Sequence, residues 1–246
     1  MYLIHLRPSQ LKKAVENNIP LIMAAGCVEY HGPHLPIGTD YLIAESIVKR
    51  VEKLIPENCV VALPLPFSPT MNWAGSVEEG DVDFSPEVLY MYAREIFSQM
   101  VKMGFKRIYI LQHHQGAEGL PSLCLKKAAS EVTRDVVKQW GHSWGKKEIK
   151  ELPNHNIFNL IQIAHADSYI DYAKTTGPMP IGHGGKGETQ LIMTEYPQTV
   201  DLDALDIRDA PEWLSDAHEA NANEGQKWLD LCAEGWAREL LMQPTQ

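Results

Sequence analysis

The sequence predicts an α/β fold, a mainly parallel sheet with helices on both faces, and three observations lead there. Short apolar runs that read as buried strands alternate with amphipathic or capped helical segments, the pattern of strand-helix-strand units. The strand runs open into polar, Gly- or Pro-rich loops, where such sheets display functional groups. The 246 residues suffice for one sizeable core, and no repeat, low-complexity tract or Pro/Ser linker divides them, so residues 1–246 are read as one domain.

In order, residues 19–26 read as a buried strand that runs into a polar loop, and residues 41–55 as a helix. In that helix Ala44, Ile47, Val48, Val51 and Leu54 recur at helical spacing. Residues 60–65 give a second strand, ending in a Pro-rich loop that contains Ser68, Trp73 and Gly75. Ser85 caps the next helix, with Pro86 in its first turn and Gly104 just past its end. Residues 108–111 are a third strand, followed by the polar run Gln112-His113-His114-Gln115-Gly116, a helix over about 118–130 and a short strand near Val136. The Gly-, Lys- and Trp-rich segment 141–155 predicts a mobile flap. Residues 157–163 form an apolar run, 183–187 a turn, 188–195 a helix stopped by Pro197, and 216–241 a long polar-faced helix.

Apolar residues at 44% and charged residues at 22% match globular usage. A formal charge of −10, with no basic cluster interleaved with aromatics, argues against nucleic acid as a partner. No apolar run approaches the roughly 18–20 residues that span a bilayer, and the first residues lack a secretory pattern, so the expectation is a cytoplasmic protein without a membrane partner. Cys27, Cys59, Cys124 and Cys232 are widely spaced and form no CxxC pair; they read as buried thiols.

The loop after the first strand concentrates Glu29, His31, His34 and Asp40. In extended backbone Glu29 and His31 project to the same side, within reach of a shared metal centre. Asp40 alone would be read as a cap for the following helix. His113 and His114 follow the third strand, a position equally suited to a functional site and to a hydrogen-bonded loop anchor. Glu188 opens a helix whose dipole a carboxylate complements. Convergence decides: three loops bring Asp, Glu and His to one edge of the sheet. Mixed nitrogen and oxygen donors suit a borderline divalent metal, zinc or manganese, better than calcium.

The stretch Glu29-Tyr30-His31-Gly32-Pro33-His34-Leu35-Pro36-Ile37-Gly38-Thr39-Asp40 resembles the E-x-H-G-P-H-L-P-x-G-T-D signature of the creatininase (creatinine amidohydrolase) family. Gln112 to Gly116 takes the place of that family's N-G-H-x-x-N loop, and His183-Gly184-Gly185-Lys186-Gly187-Glu188-Thr189 resembles its H-A-G-x-x-E-T segment. The resemblance implies a three-layer α/β/α fold, two divalent metal ions, a homo-oligomer such as a hexamer, and hydrolysis of a small cyclic or linear amide. It implies Glu29, Asp40 and His114 on one metal, His31, Asp40 and Glu188 on the other, and His183 as the catalytic histidine. Glu118 approximates a further acidic residue of the family.

Departures bear on the substrate. Met71 lies where the family has a His, and Gln112 replaces its Asn, which implies a small molecule other than creatinine. Ser68, Trp73, His113, Gln115 and Trp144 are the substrate-binding candidates, with ordinary packing the competing reading for Trp140 and Trp144. Asn72, Gln112, His113 and Gln115 are polar enough to bind hydroxyls. The rival readings are therefore cleavage of a carbon–carbon bond in a cyclic polyol ketone, and a metal-stabilised binding protein without turnover.

Overall fold

The computed structural model describes residues 1–148, 151–153, 157–180, 182–206, 208 and 210–242. Four strands, β1 (Leu21–Ala25), β2 (Val60–Val61), β3 (Ile108–Gln112) and β4 (Ile161–His165), form one parallel sheet in the order β2-β1-β3-β4. Around it lie α1 (Pro8–Glu16), α2 (Thr39–Leu54), α3 (Pro86–Lys102), α4 (Leu120–Lys138), α5 (Lys186–Glu195) and α6 (Ala222–Leu241). The architecture is the expected α/β fold, and its two cores follow from the period of two along each strand.

Ile22, Ala24, Tyr109 and Leu111 face one side and pack with Ile43, Ile47, Val51, Leu191 and Trp236 from α2, α5 and α6. Leu21, Met23, Ile108 and Ile110 face the other and pack with Leu89, Phe97, Leu125 and Ala128 from α3 and α4. Each fully buried aliphatic side chain contributes about 1.5–3 kcal/mol, so these two faces hold the layers together. Strand order reverses between β1 and β3, and the crevice at their carboxyl ends is the position where open α/β sheets bind ligands.

Several elements differ from the sequence reading. The second strand keeps only Val60–Val61, because Pro64 has no N–H for the ladder; Leu65 retains an isolated bridge to Ala25. The helix read over 118–130 begins at Leu120 and runs to Lys138, and it absorbs the strand expected near Val136, which packs on the same core as Leu125 and Val132. The apolar run 157–163 resolves into a short 3-10 turn, Ile157–Asn159, and β4. The helix read over 216–241 starts at Ala222, where the Asn221 side chain accepts from the N–H of Asn223 at 2.8 Å. The short α1 was not anticipated. In the flap read over 141–155, residues 149, 150, 154 and 155 lie outside the described residues, and Trp144–Lys146 is a 3-10 turn. No described helix is long and apolar enough to cross a membrane.

Candidate metal centre

The loop after β1, the loop after β3 and the N-terminus of α5 meet at the crevice between β1 and β3. There Glu29, His31, Asp40, His114 and Glu188 are all buried. Asp40 lies in the first turn of α2, but the residue preceding that helix is Gly38 and no side chain caps it, so the capping role does not hold. The Asp40 carboxylate faces imidazoles instead. His114 Nδ1 is 2.9 Å from its Oδ2 and 3.4 Å from Glu29 Oε2. His31 Nε2 is 3.5 Å from Asp40 Oδ1 and 3.5 Å from Glu188 Oε2. Asp40 is thus shared by two groups of donors, Glu29 with His114 and His31 with Glu188, and the first group also contains Cys27.

Hydrogen bonds to carbonyls fix the ring tautomers, since a carbonyl only accepts. His31 Nδ1 donates to Glu29 O at 3.0 Å, and His114 Nε2 donates to Pro69 O at 2.9 Å. Each ring turns its other nitrogen to the carboxylates, the arrangement that orients metal-ligating histidines. Among the described residues, His31 Nε2 is buried without a hydrogen-bond partner.

Charge points the same way. Three buried carboxylates meet here, and among the described residues their ion-pair partners are imidazoles, with no lysine or arginine. Burial pushes Glu29 up to about 7, against the pull of His114. Burial opposes a charge on His31 too, yet Asp40 and Glu188 outweigh it and carry its pKa up to about 10. Asp40 is held well below the usual carboxylate range, with His31 overcoming the cost of burial. The donor set fits a divalent metal.

His183 joins the centre from the turn before α5. Its ring stacks on His31 with centroids 4.0 Å apart, Nε2 donates to Tyr30 O at 2.6 Å, and Nδ1 is 3.8 Å from Glu29 Oε2. Trp73 and Trp213 present their rings edge-on to it. Burial lowers the His183 pKa, and nearby His31 adds to the effect. Gly184 N donates to Glu188 Oε2 at 2.7 Å, which ties the turn to the cluster of donors.

The centre forms one wall of a cavity of about 830 Å³ that Trp73, His113 and Gln115 also line. His113 Nε2 lies 2.9 Å from Glu188 Oε1, so it touches the donor cluster as well as the cavity. Gln115 has a left-handed backbone (φ 50°), as do Met71 and Asn72 (φ 62° and 46°) in the Trp73 loop, strain of the kind that collects at functional sites. The remaining candidates lie off this lining. The Ser68 hydroxyl donates to Gly26 O. Glu118 is 88% exposed in its side chain and 3.8 Å from Lys126 Nζ. Trp144 packs on Trp140 and Phe158. Gln112 holds Ser122 and the His114 carbonyl behind the loop.

Besides Cys27, three groups at this site escape the sequence. His165 ends β4 at the same sheet edge as His113, and the placement rule finds it once β4 is recognised as a strand. Asp167 follows it into the cavity wall. Trp213 reaches His183 from a distant 3-10 turn that carries no local signal.

A sheet of this topology with such donors at its switch point is that of a three-layer α/β/α protein whose clustered side chains could hold a metal ion. The chain belongs to the creatininase family, described as creatinine amidohydrolase, whose profile matches residues 5–240. It is 23% identical to the creatinine amidohydrolase of Pseudomonas putida, over 88% of this chain and 86% of that protein. Its fold is shared with the solved structure "Creatininase Mn" at a TM-score of 0.75, with 19% identity and coverage of 97% of this chain and 96% of that one. A mutant creatininase complexed with creatine gives a TM-score of 0.72 at 19% identity, with the same two coverages of 97% and 96%.

Proposed function

We propose that the chain is a dinuclear metal-dependent amidohydrolase acting on a small cyclic or linear amide, with two divalent ions, zinc and/or manganese, bound by Glu29, Asp40 and His114 and by His31, Asp40 and Glu188. The observation that carries this reading is Asp40, a buried carboxylate whose two oxygens face two separate donor groups. Two such cations lower the pKa of a water and polarise a carbonyl.

The chain's own residues do the rest. With its Nε2 proton committed to Tyr30 O, His183 keeps an unprotonated Nδ1 beside Glu29, and this nitrogen takes a proton and returns it to the leaving nitrogen of the amide. Trp73 and Trp213 pack against that ring, and the Glu188 bond to Gly184 N ties its turn to the proposed ligands. Trp73, His113 and Gln115 are the substrate contacts we propose. A single domain and a cytoplasmic address, read from the sequence, and a homo-oligomer, up to a hexamer, read from the family resemblance, belong to the same proposal.

Protein loaded with zinc or manganese is tested against creatinine, other small lactams, formamides and polyol ketones. Amide hydrolysis that a chelator abolishes is the expected result. Ketone cleavage alone would reject the amide assignment, and two bound cations with no turnover on any substrate would leave a binding protein.

A further inference from the structure

Cys27 stands two residues past β1 and is fully buried. Buried thiols are usually small packing groups, and Cys59, Cys124 and Cys232 are buried without ligand-type neighbours of this kind among the described residues. Cys27 differs in what surrounds it. Its Sγ is 2.8 Å from Asp40 Oδ2 and 3.8 Å from Glu29 Oε2. These are the same two oxygens that His114 Nδ1 faces at 2.9 and 3.4 Å. Sulfur, two oxygens and one nitrogen therefore surround a single point, all within 4.8 Å of one another.

Tetrahedral zinc places sulfur at about 2.3 Å and nitrogen or oxygen at about 2.0–2.1 Å, which sets ligand atoms roughly 3.3–3.5 Å apart. The four distances bracket that spacing, so closure needs shifts of about half an ångström. On the other side of Asp40, the buried and unpartnered His31 Nε2 aims at the same carboxylate, an independent sign that this pocket is built for a cation.

We propose that Cys27 is a fourth protein ligand at the Glu29, Asp40 and His114 position, giving it a sulfur, nitrogen and oxygen set that prefers zinc to manganese. This rests on the dinuclear reading above. The S–H bond is exchanged for a sulfur–metal bond and the proton leaves to solvent. The two positions then differ in kind. A thiolate is a soft donor that selects zinc, whereas His31, Asp40 and Glu188 offer only nitrogen and oxygen, which manganese accepts as readily. One protein thereby holds two different metals in defined places.

The competing role is a thiol that only donates a hydrogen bond to Asp40. Both roles lower metal affinity on substitution, by about 10–100-fold for an outer-shell partner, so affinity alone does not separate them. Spectroscopy does. The protein is stripped with chelator, loaded with cobalt(II) in place of zinc, and its near-ultraviolet absorption recorded for sulfur-to-metal charge transfer. The band is expected in the native protein, absent in Cys27→Ser, and retained in a variant with Cys59, Cys124 and Cys232 all changed to Ala. Cys27→Ser is also expected to lose at least tenfold in zinc affinity while manganese affinity moves less than about threefold. Two bound cobalt ions without a sulfur band would overturn the ligand role and leave the dinuclear reading intact. Absence of any bound cation would overturn both. If Cys27→Ser does not fold, the native spectrum and the triple variant still decide.

Discussion

His31 and His183 stack with ring centroids 4.0 Å apart and planes inclined by 28°, yet their outer nitrogens have different tasks. His31 turns Nε2 to Asp40 and Glu188, whereas His183 is anchored through Nε2 to Tyr30 O and leaves Nδ1 beside Glu29. Burial, with the neighbouring His31 adding to it, lowers the His183 pKa and so favours the neutral ring that suits proton transfer.

His183→Ala is therefore expected to keep both cations and to lose about 10²–10⁴ in turnover, the contribution of a positioned acid–base group. The geometry also allows His183 to join Glu29 and His31 as a ligand. Metal content and turnover measured on one preparation separate these roles: a variant that loses one cation makes His183 a ligand, and near-normal turnover rejects the catalytic assignment.

Asp40→Asn tests the shared carboxylate. Gly38 precedes α2 and no side chain caps it, so the substitution forfeits no helix cap. Asn bridges two cations poorly, and the expected protein is folded, binds at most one divalent ion per chain and turns over at least 10³-fold more slowly. Metal analysis after loading and gel filtration reads the outcome. Full retention of two ions would reject the bridge.

How far the sequence alone leads depends on whether a signal is local. Alternating strand and helix periods identify the parallel sheet, and the dense loop from Glu29 to Asp40 exposes most of the proposed ligand set. What escapes is non-local. Cys27 reads as a packing thiol until the fold sets it against Asp40, and Trp213 meets His183 only through tertiary packing. Glu118 and Trp144 show the reverse error, since a chemically apt residue near a motif need not face the cavity: one projects to solvent and the other covers a hydrophobic face.

Gly225→Ala is expected to destabilise the fold even though alanine is the better helix former by about 0.8–1 kcal/mol. A Cβ there would collide with the Gln190 carbonyl and lie 2.5 Å from Thr194 Oγ1, where α6 crosses α5. Overpacking costs about 1–3 kcal/mol and outweighs the propensity gain. Because α5 carries Glu188, the variant should also bind metal more weakly. Urea unfolding of the chelated protein isolates the packing cost, and an unchanged midpoint would show that the helices separate freely.

His34 gives the expected acid sensitivity. It is buried, with Nε2 2.9 Å from Thr189 Oγ1 and Nδ1 without a partner. Burial lowers its pKa to about 4, His218 and His31 push the same way, and the Gly184 backbone offsets only part of it. An imidazole in the unfolded chain titrates at about 6.5. Between these values the unfolded state binds a proton that the folded state refuses, so stability from neutral His34 is complete above pH 6.5 and is lost as pH falls towards 4. The whole effect is at most about 3 kcal/mol. His34→Gln can still hydrogen-bond Thr189 but does not titrate. Melting temperatures of chelated native protein and variant, followed from pH 7.5 to 4, should converge as pH falls, because only the native protein loses this contribution. A constant difference across that range would show that His34 takes up its proton equally in the folded and unfolded states, so that burial does not depress its pKa.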